Sequence, residues 1–271
     1  MFVRRFPQLG LFLVFFVWFF GYNALVTAGI LTIETETSVT VEGDLLKASV
    51  KATNKGTEPA HNVQVHLIVL GEKKSGLVKA QLSKGQSHTV AFEKFLSGSK
   101  KGRYPLIVLV DFHDTNQYPF SAVSCTTFSF KEDVNPDLIC LGNDTSIENN
   151  GLLRFRIKNL GLGSRAIQAT LVLPKELSTP RPQMDFQIDP RAEKTFAFEI
   201  NNFSALSGAS YPVFCLIEYD SEDTHYTAIA KAIVKIAKKE NWFKRTRLIW
   251  LGAAILLGVV LVASQLKRKG P

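Results

Sequence analysis

"YPLIVLVDFHDTN" (residues 104–116) and "YPVFCLIEYDSED" (residues 211–223) are one phrase written twice, 107 residues apart. Each holds Tyr-Pro, five apolar residues, an acid, an aromatic and more acid. The match runs backward from there. "VAFEKFLSGSKKGRYP" (90–105) resembles "FAFEINNFSALSGASYP" (196–212), and "VKATNKGTEPAHNVQVHLIVL" (50–70) resembles "FRIKNLGLGSRAIQATLVLP" (155–174). Elements keep their order throughout, which marks a tandem duplication of a unit of about 105 residues.

Each unit reads as strands. "NVQVHLIVL" and "IQATLVL" run at strand length, while "HTVAFEKF" and "KTFAFEI" alternate, with Gly, Asn, Pro and Ser between them. No window between the two chain ends offers an amphipathic helix. About seven short strands in a unit of this size predict an all-β fold of two tandem immunoglobulin-like β-sandwiches, at residues 29–131 and 132–237. The repeated phrase becomes the next-to-last strand of each. Tyr-Pro suits a strand start, where a missing N–H costs least, and a tyrosine there matches the corner tyrosine whose hydroxyl ties down a loop. Asn-x-Gly (Asn54 to Gly56, Asn159 to Gly161) predicts a turn, because Asn and Gly tolerate positive φ.

The N-x-G turn, the "NVQVHL" strand and the glycine-then-tyrosine approach to a long apolar strand (Gly102 and Tyr104, with Gly208 and Tyr211, one residue further apart, in the second copy) resemble the CARDB-like and related bacterial immunoglobulin-like domains of envelope proteins. The resemblance covers both units, roughly residues 30–236. It implies an accessory role in spacing, adhesion or partner binding, and it lends no catalytic residue.

Both chain ends read as membrane segments. Arg4 and Arg5 precede "LGLFLVFFVWFF" (9–20), and Val26-Thr27-Ala28 supplies the small or apolar residues of a signal peptidase site, so residues 1–28 are expected to be a signal peptide cleaved after Ala28. An uncleaved anchor over residues 9–28 is the alternative. Residues 248–266 (LIWLGAAILLGVVLVASQL) would span roughly 28 Å as a helix, which matches the hydrocarbon thickness. A basic juxtamembrane segment (238–247) precedes it and a short basic tail (267–271) follows. The formal charge of +8 lies at the ends: over residues 29–236, 22 Lys and Arg face 23 Asp and Glu, a net of −1. The basic pI therefore suits anionic headgroups and does not point to nucleic acid. Trp242, Lys244, Arg245, Arg247, Trp250, Lys267, Arg268 and Lys269 are the expected membrane-interface residues. Two rules disagree on topology. The signal sends the sandwiches out, whereas the basic run before the span argues by charge bias for the cytoplasmic side. We expect the signal to dominate, placing the domains on the periplasmic or extracellular side of the cytoplasmic membrane.

Signatures of chemistry are sparse. His61, His66, His88, His113 and His225 never pair at ligand spacing, and no nucleophile elbow, phosphate loop or dinucleotide fingerprint occurs. Cys125, Cys140 and Cys215 form no metal motif; Cys140 and Cys215 share one unit and could bridge, although Cys215 stands where the first copy has Val108, a small core position. Acidic groups after the repeated strand (Asp111, His113 and Asp114; Glu218, Asp220, Glu222 and Asp223) offer oxygen ligands for calcium, but without ordered spacing they read as solvated hairpins. The expectation is a non-enzymatic, single-pass scaffold or protein-interaction module of an envelope assembly, with no cofactor and no metal. A carbohydrate-binding accessory for polysaccharide export or degradation is the alternative; its glycan would stack on Tyr118, Phe120, Tyr219 and Tyr226, which otherwise pack in hairpins or core.

Overall fold

The computed structural model describes residues 31–238 and, beyond them, positions 246, 249, 250, 252, 253, 256, 258 and 260, all helical. The expected signal (1–28), Trp242, Lys244, Arg245, Arg247, Lys267, Arg268 and Lys269 lie outside the described residues, as does part of the expected span. Trp250 is described and is exposed on its helix. Among the described residues, no helix is long and apolar enough to cross a membrane.

Seventeen strands make up the body. The first unit holds β1 (Ile33–Glu42), β2 (Leu45–Asn54), β3 (Ala60–Val69), β4 (Glu72–Ser75), β5 (Lys79–Leu82), β6 (Ser87–Phe95), β7 (Lys101–His113) and β8 (Pro119–Phe130). The second holds β9 (Leu138–Gly142), β10 (Thr145–Ile147), β11 (Asn150–Asn159), β12 (Arg165–Val172), β13 (Leu177–Ser178), β14 (Gln183–Ile188), β15 (Glu193–Asn202), β16 (Ser210–Ser221) and β17 (Thr224–Ile236). A three-stranded sheet, β1-β2-β6, closes the first sandwich and a four-stranded sheet, β13-β15-β11-β9, closes the second. Their other layers merge into one ten-stranded sheet of order β14-β12-β16-β17-β7-β3-β4, with β10 on β17, β5 on β3 and β8 on β7.

Period-two alternation builds two separate cores. On β2, Leu46, Ala48, Val50 and Ala52 face inward while Ser49 and Lys51 face water; on β11, Leu153, Phe155 and Ile157 alternate with Arg154, Arg156 and Lys158. Leu106, Val108 and Val110 of β7 sit in the first core, as Val213, Cys215 and Ile217 of β16 sit in the second. The repeated phrase is thus the penultimate strand of each unit, and Cys215 does replace Val108 as a small buried side chain. All three cysteines are free; burial pushes the Cys125 and Cys140 thiols up to about 12.

Both repeated polar signatures have structural duties. The Tyr104 hydroxyl donates to the Lys100 carbonyl, and the Tyr211 hydroxyl accepts the Leu206 N–H, so each corner tyrosine pins the loop before its own strand. Pro105 and Pro212 stand just ahead of the points where β3 and β12 begin to pair, at Leu106 and Phe214. The reason given for Asn-x-Gly needs correction, since neither Asn54, Gly56, Asn159 nor Gly161 has a positive φ. Asn54 is buried; its amide donates to the carbonyls of Glu58 and Leu82, and its Oδ1 accepts the Gly56 N–H. Asn159 repeats this with Gly163, Asp189 and Gly161. The side chain serves as a plug of backbone-like bonds between two loops, which an Asn amide satisfies and a φ preference does not describe.

The two units lie head to tail. The chain enters the first beside Asn54, which pairs with Ile33, and leaves it at Phe130, which pairs with Gly102 at the start of β7. It enters the second at Leu138, opposite Asn159, and leaves at Ile236. β7 and β17 pair in parallel only at their first residues, Lys101 with Thr224 and Gly102 with His225, so His113 and Ile236 point the same way. The tandem is a hairpin of two sandwiches, and the chain returns to the end where it came in. Beyond the shared pair the outer faces pack together. Phe214 and Leu216 alternate with core residues of β16 and belong to neither core, yet they are only 8% and 2% exposed; Ser121 and Val123 on the outer side of β8 are buried likewise.

Candidate functional site: the junction between the sandwiches

Gly102 sets the corner of the junction. Its φ is +135°, and a Cβ built on it would lie 2.0 Å from the His225 carbonyl oxygen. Only glycine lets the backbones of β7 and β17 approach this closely. Around that contact, the His225 ring stacks on Tyr104 at 4.4 Å between centroids, Thr227 Oγ1 donates to the Arg103 carbonyl, and Lys100 Nζ donates to Asp220 Oδ2 at 2.8 Å.

His225 carries the electrostatics. Its Nδ1–H donates to Asp220 Oδ1 at 2.7 Å and its Nε2–H to Glu218 Oε1 at 3.3 Å. Burial disfavours the charged ring, but the two carboxylates more than offset it, and the pKa is raised. Asp220 feels the same burial, which its bonds to Lys100 and His225 outweigh, so its carboxyl sits below the usual range.

A second polar cluster closes the interface further along β7. His66 on β3 is buried and its pKa is lowered, by burial first and by Lys73 second. It therefore serves as a neutral ring, with Nε2–H donated to Asp111 Oδ2 at 2.9 Å and Nδ1 accepting from Ser75 Oγ. Lys175 of the second unit reaches the same Asp111 oxygen. Beside it Glu176, 1% exposed, accepts the Ser121 N–H and Oγ–H at 2.7 Å each, and Ser121 Oγ accepts the Lys175 N–H.

One cleft lies on the second unit beside the junction, and another lies between the two units. The first, of about 540 Å³, is lined by Gln168, Asp185, Phe186, Glu218, Asp220 and His225, and the second, of about 360 Å³, by Ile68, Pro105, Ile107, Gln168, Leu216 and Glu218. Gln168 and Glu218 border both, so the clefts adjoin along the seam. Among the described residues, no three His, Cys, Asp or Glu side chains converge as metal ligands.

The four aromatics singled out in sequence fall into two pairs. Tyr219 is buried: its hydroxyl donates to Asp137 Oδ1 and accepts the Asp137 N–H, and its ring stacks on Tyr226 at 5.0 Å. Arg165, bonded to Asp137, lies over the Tyr219 ring. That pair fastens the linker to the second core. Tyr118 and Phe120 lie at the other end, with Phe120 against the first core and Tyr118 donating to the Ser204 carbonyl across the junction. The pairs share no common face. Sequence reading missed Glu176, Ser121 and Lys100, none of which has a spacing signal, and it assigned no role to His225.

Residues 29–116 match the CARDB family model, and the first sandwich is of that bacterial immunoglobulin-like kind. Among solved structures, the chain is similar to trypsin-activated alpha-2-macroglobulin from Escherichia coli, at 12% identity over 77% of this chain and 18% of that one, with a TM-score of 0.32. It is also similar to red sea bream transglutaminase (12% identity, 77% of this chain and 31% of that one, TM-score 0.28) and to the seventh ScaB type I cohesin of Pseudobacteroides cellulosolvens (10%, 38% and 94%, TM-score 0.26). The chain spans less than a third of the length of the first two. No curated protein matches it.

Opposite shifts at two junction histidines give a pH signature. The raised pKa of His225 contributes stability that is full below its unfolded value and is lost as pH rises through the folded one. The lowered pKa of His66 contributes stability that is full above its unfolded value and is lost as pH falls. The urea midpoint of the tandem is expected to peak between these limits and to decline from about pH 6.5 upward. In His225→Gln the alkaline decline should vanish while the acid limb stays; an unchanged alkaline limb would remove His225 from the account.

Proposed function

We propose that the chain is a non-enzymatic, single-pass envelope protein that presents a folded-back pair of immunoglobulin-like sandwiches outside the cytoplasmic membrane, as a scaffold or protein-interaction module of a larger assembly. The observation that carries this reading is the return of the chain to its starting end. Leu31 and Lys238, the two ends of the body, emerge on the same side, from which the signal-like segment (1–28) and the apolar segment (248–266) both continue. With the signal cleaved after Ala28, the apolar segment is the one anchor, and it holds the body by the end that also carries the new amino terminus. The burial of the outer sheet faces against each other makes the pair a stiff block, and a block with fixed faces presents partners with a constant geometry. The basic run from Lys238 to Arg247 lies along the outer headgroups, with Trp242 and Trp250 as interfacial anchors.

Protease added to intact spheroplasts is expected to digest the sandwiches and to leave a small membrane-held fragment. Protection of the body until the membrane is opened would invert the topology and overturn the envelope reading.

A further inference from the structure

The same end of the body that releases both chain termini carries an apolar tip made by both units. Phe203 is 77% exposed, Leu206 48% and Tyr118 41%. The Tyr118 hydroxyl on the Ser204 carbonyl joins the first unit's turn to the second unit's loop, so the three residues form one surface.

The loop holding Phe203 outward is firmly set. Phe203 and Ser204 N–H groups both donate to the Glu176 carbonyl, Ala205 N–H to Asn202 Oδ1, Leu206 N–H to the Tyr211 hydroxyl, and Gly208 N–H to the Ile236 carbonyl. A loop with this many bonds keeps an unpaired phenylalanine in water at a standing cost, which a matching apolar surface would relieve. Lys238 lies with its aliphatic chain against Gly208 in the same loop, so the chain continues from beside this tip. From Lys238 to Leu248 an extended chain reaches at most about 35 Å, and a basic run held on headgroups spans less height than that.

We propose that Phe203, Leu206 and Tyr118 form a lipid-contact tip that rests the tandem on the outer leaflet, the rings and the leucine entering the headgroup and acyl boundary. This rests on the membrane-anchored reading above. The occupant is the bilayer because the tip sits where the chain leaves toward its apolar segment and because aromatic and aliphatic side chains beside lysine match the interfacial layer. Exposed apolar residues at the far end, such as Leu162, stand away from the point where the chain leaves toward that segment.

The test uses the full chain in nanodiscs of phosphatidylcholine with phosphatidylglycerol, with a nitroxide on Phe203→Cys and, separately, on Leu162→Cys, about 30 Å away along β11. Cys215 is buried and stays unlabelled, the partly exposed Cys125 and Cys140 are replaced by serine throughout, and that chain without a new cysteine gives the background. Collision with an aqueous nickel chelate is expected to be several-fold lower at position 203 than at 162, with oxygen collision higher. Equal chelate access at both positions, in chain that floats with the lipid, overturns the tip while leaving the anchor intact. Chain that does not float overturns the anchor, and the tip falls with it. A label at Leu206→Cys repeats the measurement should Phe203→Cys fold poorly.

Discussion

Gly102→Val is expected to lower the stability of the tandem by about 4 kcal/mol and to part the two sandwiches without unfolding either. The added Cβ would lie 2.0 Å from the His225 carbonyl oxygen and within 3 Å of its N and C, all backbone atoms that cannot swing aside. A β-branched residue also resists a φ of +135°, a strain of about 1–3 kcal/mol by itself. Relief requires β17 to leave β7, which breaks the Gly102 and His225 pairing and unstacks Tyr104 from His225. Neither hydrophobic core includes that contact. Far-UV circular dichroism should therefore be kept, while small-angle scattering should report a longer particle and urea should resolve two transitions. A single transition at the unsubstituted midpoint, with unchanged scattering, would show that the parallel pair does not hold the tandem together.

Much of the sandwich architecture was legible because it is written in alternation and repetition. A period-two pattern on "HTVAFEKF" or "LLRFRIKN" can bury only one face, and the duplication supplied a second, independent reading of the same strands. The corner tyrosines were legible for the same reason, since Tyr104 and Tyr211 occupy one position in two copies. Asn54 and Asn159 were found as a signal but given the wrong physics. A turn explanation by φ fits any Asn-Gly pair, whereas the bonds from the buried amide to two distant loops depend on residues such as Leu82 and Asp189 that are close only after folding.

The junction was largely illegible, and the cause is physical. Phe214 and Leu216 read as two members of a continuous apolar run, and a run apolar on both sides says that both faces are covered without saying by what. The covering surface is the other copy. Pairwise contacts such as Lys100 with Asp220, or Ser121 with Glu176, join residues that occupy different positions in the two copies, so the repeat that revealed the sandwiches carried no record of how they meet. Acidic groups after the repeated strands looked like solvated hairpins; in the second copy Glu218 and Asp220 instead hold His225, and in the first Asp111 holds His66 and Lys175. Sequence reading names Tyr219 as a stacking residue only for the glycan alternative and otherwise expects it in hairpin or core packing; inward alternation from Val213 and Ile217 puts it in the core.

Glu176→Ala is expected to cost about 3 kcal/mol, the larger part from groups left behind. The carboxyl is enclosed by both units, and its removal strands the Ser121 N–H and hydroxyl in a site that excludes water; each buried donor without an acceptor costs about 1–3 kcal/mol. The Ser121 hydroxyl also accepts the Lys175 N–H, so its reorientation disturbs that bond as well. Glu176→Gln keeps the shape and one good acceptor and should recover about half of the loss. Lys175→Ala removes an exposed partner of Asp111 and should cost less than about 1 kcal/mol. Urea midpoints of the three variants, compared with Ser121→Ala and the Glu176→Ala, Ser121→Ala pair, isolate the coupling between the two residues. A coupling near zero would mean that Glu176 is merely accommodated at the seam, and the firmness attributed to the junction would have to come from the Gly102 corner and the apolar contact of Phe214 and Leu216 alone.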